Sequence, residues 1–470
     1  MIKIDSTVKR INRVLKKISY FLIGSLGIKA ITVVFISFIL SVNGFSQNPN
    51  NVAMPKPTLQ GIDTRGFRLT FSDEFAQVSW TNKSPKGNYN WYCQPAYSDK
   101  WIGFSARSAE SLIISNGVLI NKLWFKANTD KAGNYCGGIV GMKDSSGNAL
   151  VNVQTPGAKI KNRNGLIWGN AGFVGMKFTP SRNLVVSQLG RYNIAGSLGA
   201  YDVRIFDAAT GNDVAKAIVN LKNQPDGWVY APLEGGASVT LQAGRSYYLV
   251  SATLGWNKEK NNYATDYWYD GGSTVIAADG IKIQESVWGV WNSGSLFSVD
   301  TKGEGFTQKY GYWEARVKMP ASGTGAWPSF CLYSIPGAKL SEEVDIFEGY
   351  GNNYPNGRKY FGMRNHNWGN GPKEGSADVW PEVSAPWANW HIYGFLAMPA
   401  FCAFYVDGVQ YAKYLTPNSY MINPSYMSIE YNIGGWWPLH GLVANSHLDV
   451  DWIRVWSLPE ELLKPASSQK

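Results

Sequence analysis

Between positions 342 and 350 the chain reads Glu-Glu-Val-Asp-Ile-Phe-Glu-Gly-Tyr, so that Glu343, Asp345 and Glu348 interrupt a run of β-forming apolar residues. Charged groups in a half-buried strand cost desolvation energy and require a reason. Strand alternation puts Glu343 and Asp345 on one face and Glu348 on the other. A β-bulge adding one residue between Asp345 and Glu348 returns all three to the same face, and bulges are common beside active sites. Two glutamates flanking an aspartate in one row are what cleavage of a glycosidic bond with retention needs. One ionised carboxylate attacks the anomeric carbon and one protonated carboxyl donates to the leaving oxygen, the two about 5–5.5 Å apart. Asp345 would hydrogen-bond and orient Glu343, and crowding of like charge raises at least one carboxyl pKa, keeping an acid protonated near neutrality. On spacing alone, an acidic exposed edge strand or a metal site accounts for the same residues.

The elements that must hold this row are short strands. The chain has 470 residues, 44% apolar and 17% charged, with 50 Gly, 20 Trp and 26 Tyr, a composition that favours a turn-rich all-β protein over disorder or coiled coil. Apolar and polar residues alternate in Phe67 to Phe71, Tyr310 to Lys318, Ala403 to Val406 and Val450 to Val455, as in half-buried antiparallel strands. No long amphipathic helix pattern intervenes, so a sandwich is expected. A second strand series, Gly175 to Phe178, Tyr201 to Phe206, Val239 to Leu241 and Tyr247 to Ala252, predicts a small β-sandwich inserted over 134–283. The surrounding segments 67–133 and 284–458 would then form one discontinuous domain, preceded by a linker over 47–66 and followed by a tail over 459–470. Insertion at a surface loop is tolerated when its ends lie close together.

The first 46 residues differ from the rest. Lys3, Lys9, Arg10, Arg13, Lys16, Lys17 and Lys29 precede the apolar run Ile31 to Val42, which is followed by Gly44-Phe45-Ser46. That pattern predicts a signal peptide over 1–46, cleaved near Ser46, and a secreted or periplasmic protein that meets the membrane only during export. An uncleaved anchor is the alternative, although the run falls short of the roughly 20 residues a spanning helix needs. With Asp5, the leader accounts for +6 of the formal +10, leaving about +4 on the remainder. This gives little support for a nucleic-acid partner. The four cysteines, Cys93, Cys136, Cys331 and Cys402, show no C-x-x-C spacing, and in an oxidising compartment they are optional disulfides or buried thiols.

The carboxylate row resembles the E-x-D-x-x-E signature of glycoside hydrolase family 16, which includes laminarinases, agarases and carrageenases. Other phrases agree in order on both sides of the insertion: LTFSDEF at Leu69 to Phe75, WNSGSLFSVD at Trp291 to Asp300, YGYWEARVKMP at Tyr310 to Pro320, GAWPSF at Gly325 to Phe330, FYVDG at Phe404 to Gly408 and VDWIRVW at Val450 to Trp456. The resemblance implies a concanavalin-like jelly roll of two antiparallel sheets, with a polysaccharide of β-glucan or galactan type lying across one of them. It implies Glu343 as nucleophile, Asp345 as its assisting carboxylate and Glu348 as acid/base. It also places His366 near the row and Trp327, Trp436 and Trp437 in the cleft, where a sugar face stacks on a flat ring. No cofactor is required, but a structural calcium ion is implied at Glu74 and Asp451. Cys331, where the family usually has a second Trp, and Leu396, where a Trp is common, are departures. The expectation is a monomeric, endo-acting retaining hydrolase. A transglycosylase with the same site, or a lectin-like jelly roll that binds glycans without cutting them, are the alternatives.

Overall fold

The computed structural model describes residues 54–81, 89–94, 104–131, 140–154, 172–193, 197–260, 262–265, 274–335, 342–351, 361–367, 378–415, 423–435 and 437–464. The leader expected over 1–46, with its cleavage point at Ser46, lies outside these residues, as do Cys136 and Trp436. Among the described residues there is no α-helix, and no helix is long and apolar enough to cross a membrane.

Two eight-stranded sheets face each other across the main core. One is ordered Val409–Leu415, Phe401–Val406, His391–Ala397, Gly311–Lys318, His447–Ser457, Val118–Lys122 and Leu112–Ser115, with Arg68–Asp73 also paired to His447–Ser457. The other is ordered Trp80–Thr81, Trp91–Tyr92, Ser295–Phe297, Ser425–Ile433, Ala326–Ser334, Glu342–Gly349, Phe361–Asn367 and Asp378–Val379. The pairing is antiparallel except where Trp80–Thr81 meets Trp91–Tyr92. Period-two alternation turns Trp313, Ala315 and Val317 of the first sheet and Phe330, Leu332 and Ile429 of the second into one buried cluster. Burying a large aliphatic or aromatic side chain of this kind contributes about 1.5–3 kcal/mol. The fold is the all-β, two-sheet architecture expected. Cys93, Cys331 and Cys402 are buried free thiols within it.

Two expected peripheral segments turn out to be docked. From Lys56 onward the expected linker lies on the first sheet: Leu59 is buried, the Gln60 amide donates to the Gly408 carbonyl at 2.8 Å, and Gln60 Oε1 accepts from the Gln410 amide at 3.0 Å. At the other end, Pro459 sits so close to Gly66 that a Cβ there would meet its ring at 2.9 Å. The linker and tail therefore brace each other instead of trailing.

The inserted region builds a five-stranded sheet, Gly227–Pro232, Gln188–Asn193, Val140–Lys143, Ala149–Gln154 and Thr274–Ala277. It packs on a sheet centred on Ala200–Asp207, Tyr247–Ala252 and Gly172–Pro180, around a core of its own that includes Leu189, Val203, Ile205 and Leu249. No break falls at residue 283, where the boundary was expected. The 13-residue strand Ile281–Ser293 pairs with Gly172–Pro180 of the insertion and with Trp124–Lys131 along one continuous run. A continuous strand satisfies every backbone group across the junction, which a loop would leave to water.

Candidate active site

The strand Glu342–Gly349 carries the expected bulge. On one side Glu348 pairs with Ser329 and Phe347 with Phe330, but Asp345 pairs with Cys331, so Ile346 has no opposite number. On the other side the register likewise slips between Asp345–Arg364 and Glu348–Gly362. The slip lets the successive residues Ile346 and Phe347 both enter the core beside Val344, each at most 1% exposed. Glu343, Asp345 and Glu348 are thereby left on the opposite face. The local reason is the sequence itself: two adjacent large apolar residues can both be buried only where the alternation is broken.

Glu348 is held by three donors. Trp327 Nε1 donates to Oε1 at 2.6 Å, Arg364 donates to Oε2 at 2.8 Å, and the Tyr350 hydroxyl donates to the same oxygen. Burial pushes the Glu348 carboxyl up to about 7 and the Asp345 charge pushes the same way, while Arg364 and the donors from Tyr350 and Trp327 pull against them. Arg364 also lies over the rings of Tyr350 and Trp380, at 5.4 and 5.0 Å from their centroids. The acid is thus enclosed by aromatic faces and one guanidinium.

Asp345, only 1% exposed, accepts from the Cys331 thiol at 3.2 Å through Oδ1 and faces His366 Nε2 at 3.2 Å through Oδ2. Burial lowers the His366 pKa, but the hydrogen bond and charge of Asp345, with the charge of Glu348, outweigh it and hold the imidazole above its ordinary value. Burial and the three nearby carboxylates push the Cys331 thiol well up, so it remains a neutral donor. Glu343 is half-buried and stands in register between Tyr333 and His366. Its carboxylate lies within 4.8 Å of both Cys331 Sγ and an Asp345 oxygen. Those three are the His, Cys, Asp and Glu residues, among the described ones, that stand close enough together to hold a metal ion.

The structure therefore brings Glu343, Asp345, Glu348, His366 and Trp327 together. Trp437 joins them at the rim, its ring edge-on to Tyr350 at 6.3 Å between centroids. Trp436 lies outside the described residues. Glu74 and Asp451, at which a calcium ion was expected, each meet a guanidinium in the structure. Arg454 clasps both oxygens of Glu74 at 2.9 Å and Arg316 takes Asp451. The pairing of Arg68–Asp73 with His447–Ser457 sets this arrangement, because it seats Glu74 beside the strand that carries Arg454.

Four neighbours of the row were not singled out from sequence as part of it: Tyr350, Arg364, Trp380 and the thiol of Cys331 in its bonded role. Alternation held the signal for two of them, since Tyr350 follows Glu348 by two residues and Arg364 precedes His366 by two. Trp380 comes from the edge of the sheet and carried no such signal.

Residues 256–454 match the family model of glycosyl hydrolases family 16. Two curated relatives from Rhizobium meliloti (strain 1021), the endo-1,3-1,4-beta-glycanases EglC and ExsH, are 32% and 30% identical over 156 residues, 33% of this chain and 31% of each relative. The chain thus spans about a third of the length of the curated relatives it matches. Among solved structures, the laminarinase catalytic domain from Thermotoga maritima MSB8 is 22% identical, covering 39% of this chain and 74% of that one at a TM-score of 0.30.

Proposed function

We propose that this chain, which belongs to glycosyl hydrolases family 16 through its residues 256–454, is an exported endo-glycosidase that cuts internal β-linkages of a glucan with retention of configuration. One observation carries the reading: a buried carboxyl pushed up to about 7, Glu348, shares one strand face with Glu343. A site that keeps one acid protonated beside another carboxylate suits double displacement. In the first step a Glu343 oxygen bonds to the anomeric carbon as the bond to the leaving oxygen breaks, and Glu348 gives that oxygen its proton. In the second, Glu348, now a carboxylate, takes a proton from water while the water oxygen displaces Glu343. Asp345 orients Glu343, and the Cys331 thiol and His366 fix Asp345 in turn.

Glucan is preferred over galactan because the two curated relatives are named endo-1,3-1,4-beta-glycanases, and Trp327 and Trp437 offer flat faces for a β-linked glucose chain. The enzyme is proposed to act as a monomer outside the cell, after removal of residues 1–46. The test is Glu343→Gln on mixed-linkage β-glucan, laminarin and agarose, with reducing ends and affinity electrophoresis read in parallel. Cleavage by the wild type should fall by at least about 10³-fold in the variant, with binding retained, since the nucleophile is lost but the cleft is not. Undiminished release of oligosaccharides by the variant would exclude Glu343 as nucleophile.

A further inference from the structure

The inserted sandwich grips one particular piece of the jelly roll, the segment 437–445 that begins at Trp437. Arg204, fully buried on the insertion strand Ala200–Asp207, donates to the Leu442 carbonyl at 3.0 Å while its other donors bind Asp202 at 2.7 Å and Asp213 at 2.9 Å. Asp202 in turn bonds His440 Nδ1 at 2.5 Å, and Lys216 donates to the His440 carbonyl at 2.5 Å. Asp213 accepts from the Ala444 amide at 2.7 Å, and Asn445 donates to the Thr210 carbonyl at 3.2 Å. At the other end of the segment, Tyr263 of the strand Asn262–Thr265 donates its hydroxyl to the Trp437 carbonyl. Its ring is wedged edge-on between Phe104 at 4.6 Å and Trp256 at 5.1 Å.

The gripped segment borders the catalytic row directly. Gly435, at φ +61°, lies against the ring of Trp327, and the Trp437 ring lies against Tyr350. Trp327 and Tyr350 are two of the three donors to Glu348. Gly434, at φ +96°, has no room for a side chain because the Phe104 ring occupies the space, with the Tyr263 hydroxyl 3.2 Å from where a Cβ would stand. A backbone turn in left-handed conformation, packed against aromatic rings and tied by side chains of another sandwich, is set by that sandwich.

We infer that the insertion is a working wall of the glycan cleft and that Tyr263 is a positioning residue, which holds Trp437 at the height where it stacks on the sugar chain. This rests on the glycosidase reading only for the meaning of the cleft; the grip itself is testable without substrate. The variant is Tyr263→Phe, which keeps the ring between Phe104 and Trp256 and removes only the hydroxyl. In the full-length protein, amide exchange of the peptide spanning 437–446 should speed up at least about threefold, with the strand Glu342–Gly349 unchanged. KM for mixed-linkage β-glucan should rise about three- to tenfold with kcat within about twofold. Leu189→Ala, a cavity in the insertion's own core, is the control for simple loosening. It should lower Tm without raising KM. His440→Ala should move exchange and KM the same way as Tyr263→Phe. Wild-type exchange and wild-type KM in Tyr263→Phe would overturn the inference, as would an equal KM rise in Leu189→Ala. If the wild type cleaves no polysaccharide, the glycosidase reading fails and the exchange measurement alone decides the grip.

Discussion

Burial and the Asp345 charge together push the Glu348 carboxyl up, while Arg364, Tyr350 and Trp327 limit the rise to about 7, which suits the general acid proposed above. Only its protonated form donates to a leaving oxygen, so kcat/KM should fall as pH rises through about 7. Tyr350 lowers the Glu348 pKa by donating to its carboxylate. Tyr350→Phe should therefore move the alkaline limb of the kcat/KM profile upward by as much as about one unit, since one unit corresponds to about 1.4 kcal/mol and a hydrogen bond to a charged group contributes about that much. A limb that stays put, or moves down, would show that the Tyr350 hydroxyl does not reach the acid in solution. The same logic explains why Cys331 is tolerated in the row: its pKa is raised well above the ordinary thiol value, so it adds a neutral donor to Asp345 and no further charge.

A single strand does two jobs at the element scale. Val344, Ile346 and Phe347 anchor it in the core, and the extra residue at Ile346 permits a row of three acids on the other face. Deleting Ile346 removes the extra residue and restores unbroken alternation, which by itself keeps Glu343, Asp345 and Glu348 on one face, and it takes one large buried side chain from the core, a loss of about 1.5–3 kcal/mol. The deletion should lower Tm while cleavage persists. Loss of cleavage in the folded deletion variant would show that the bulge also sets the spacing the acids need. On the neighbouring strand Phe361–Asn367, the same period of two places Arg364 and His366 together under the row. One served Glu348 and the other Asp345. The first sheet contributes no acid to this row; it supplies the opposing half of the core.

The described residues from Lys56 onward build two sandwiches that share a junction. Phe125 of the jelly roll stacks on Phe206 of the insertion at 4.6 Å, and Trp291 meets Phe173 and Phe206 edge-on at 5.6 and 5.7 Å. Phe173, Phe206, Val250 and Leu254 of the insertion belong to the main core cluster along with Trp313 and Ile453. With the strand Ile281–Ser293 shared as well, neither sandwich can open without exposing part of the other's core. Calorimetry should show one cooperative transition for residues 56–464, whose calorimetric and van't Hoff enthalpies agree. Two resolved transitions would mean that the sandwiches unfold separately. The fully buried Arg204 reinforces the junction through its bond to the Leu442 carbonyl, while its ion-pair partners Asp202 and Asp213 hold it from the insertion side.

Much of this was legible in one dimension. Strand positions followed from alternation, and the bulge followed from three acids that had to face the same way with two adjacent apolar residues between them. These are local rules, in which a residue's neighbours at one or two positions decide its side. A second strand series, which interrupts an otherwise ordered set of phrases, was legible too. What tertiary structure alone decided were partnerships across long separations. Strand pairing, and not any local pattern, sets Arg454 against Glu74 and Arg316 against Asp451. The strand Ile281–Ser293 runs through position 283, where the insertion was expected to end. The bond from Tyr263 to Trp437 spans 174 positions, and no periodicity encodes which loop a distant hydroxyl will meet, because that depends on how two separately built sandwiches dock.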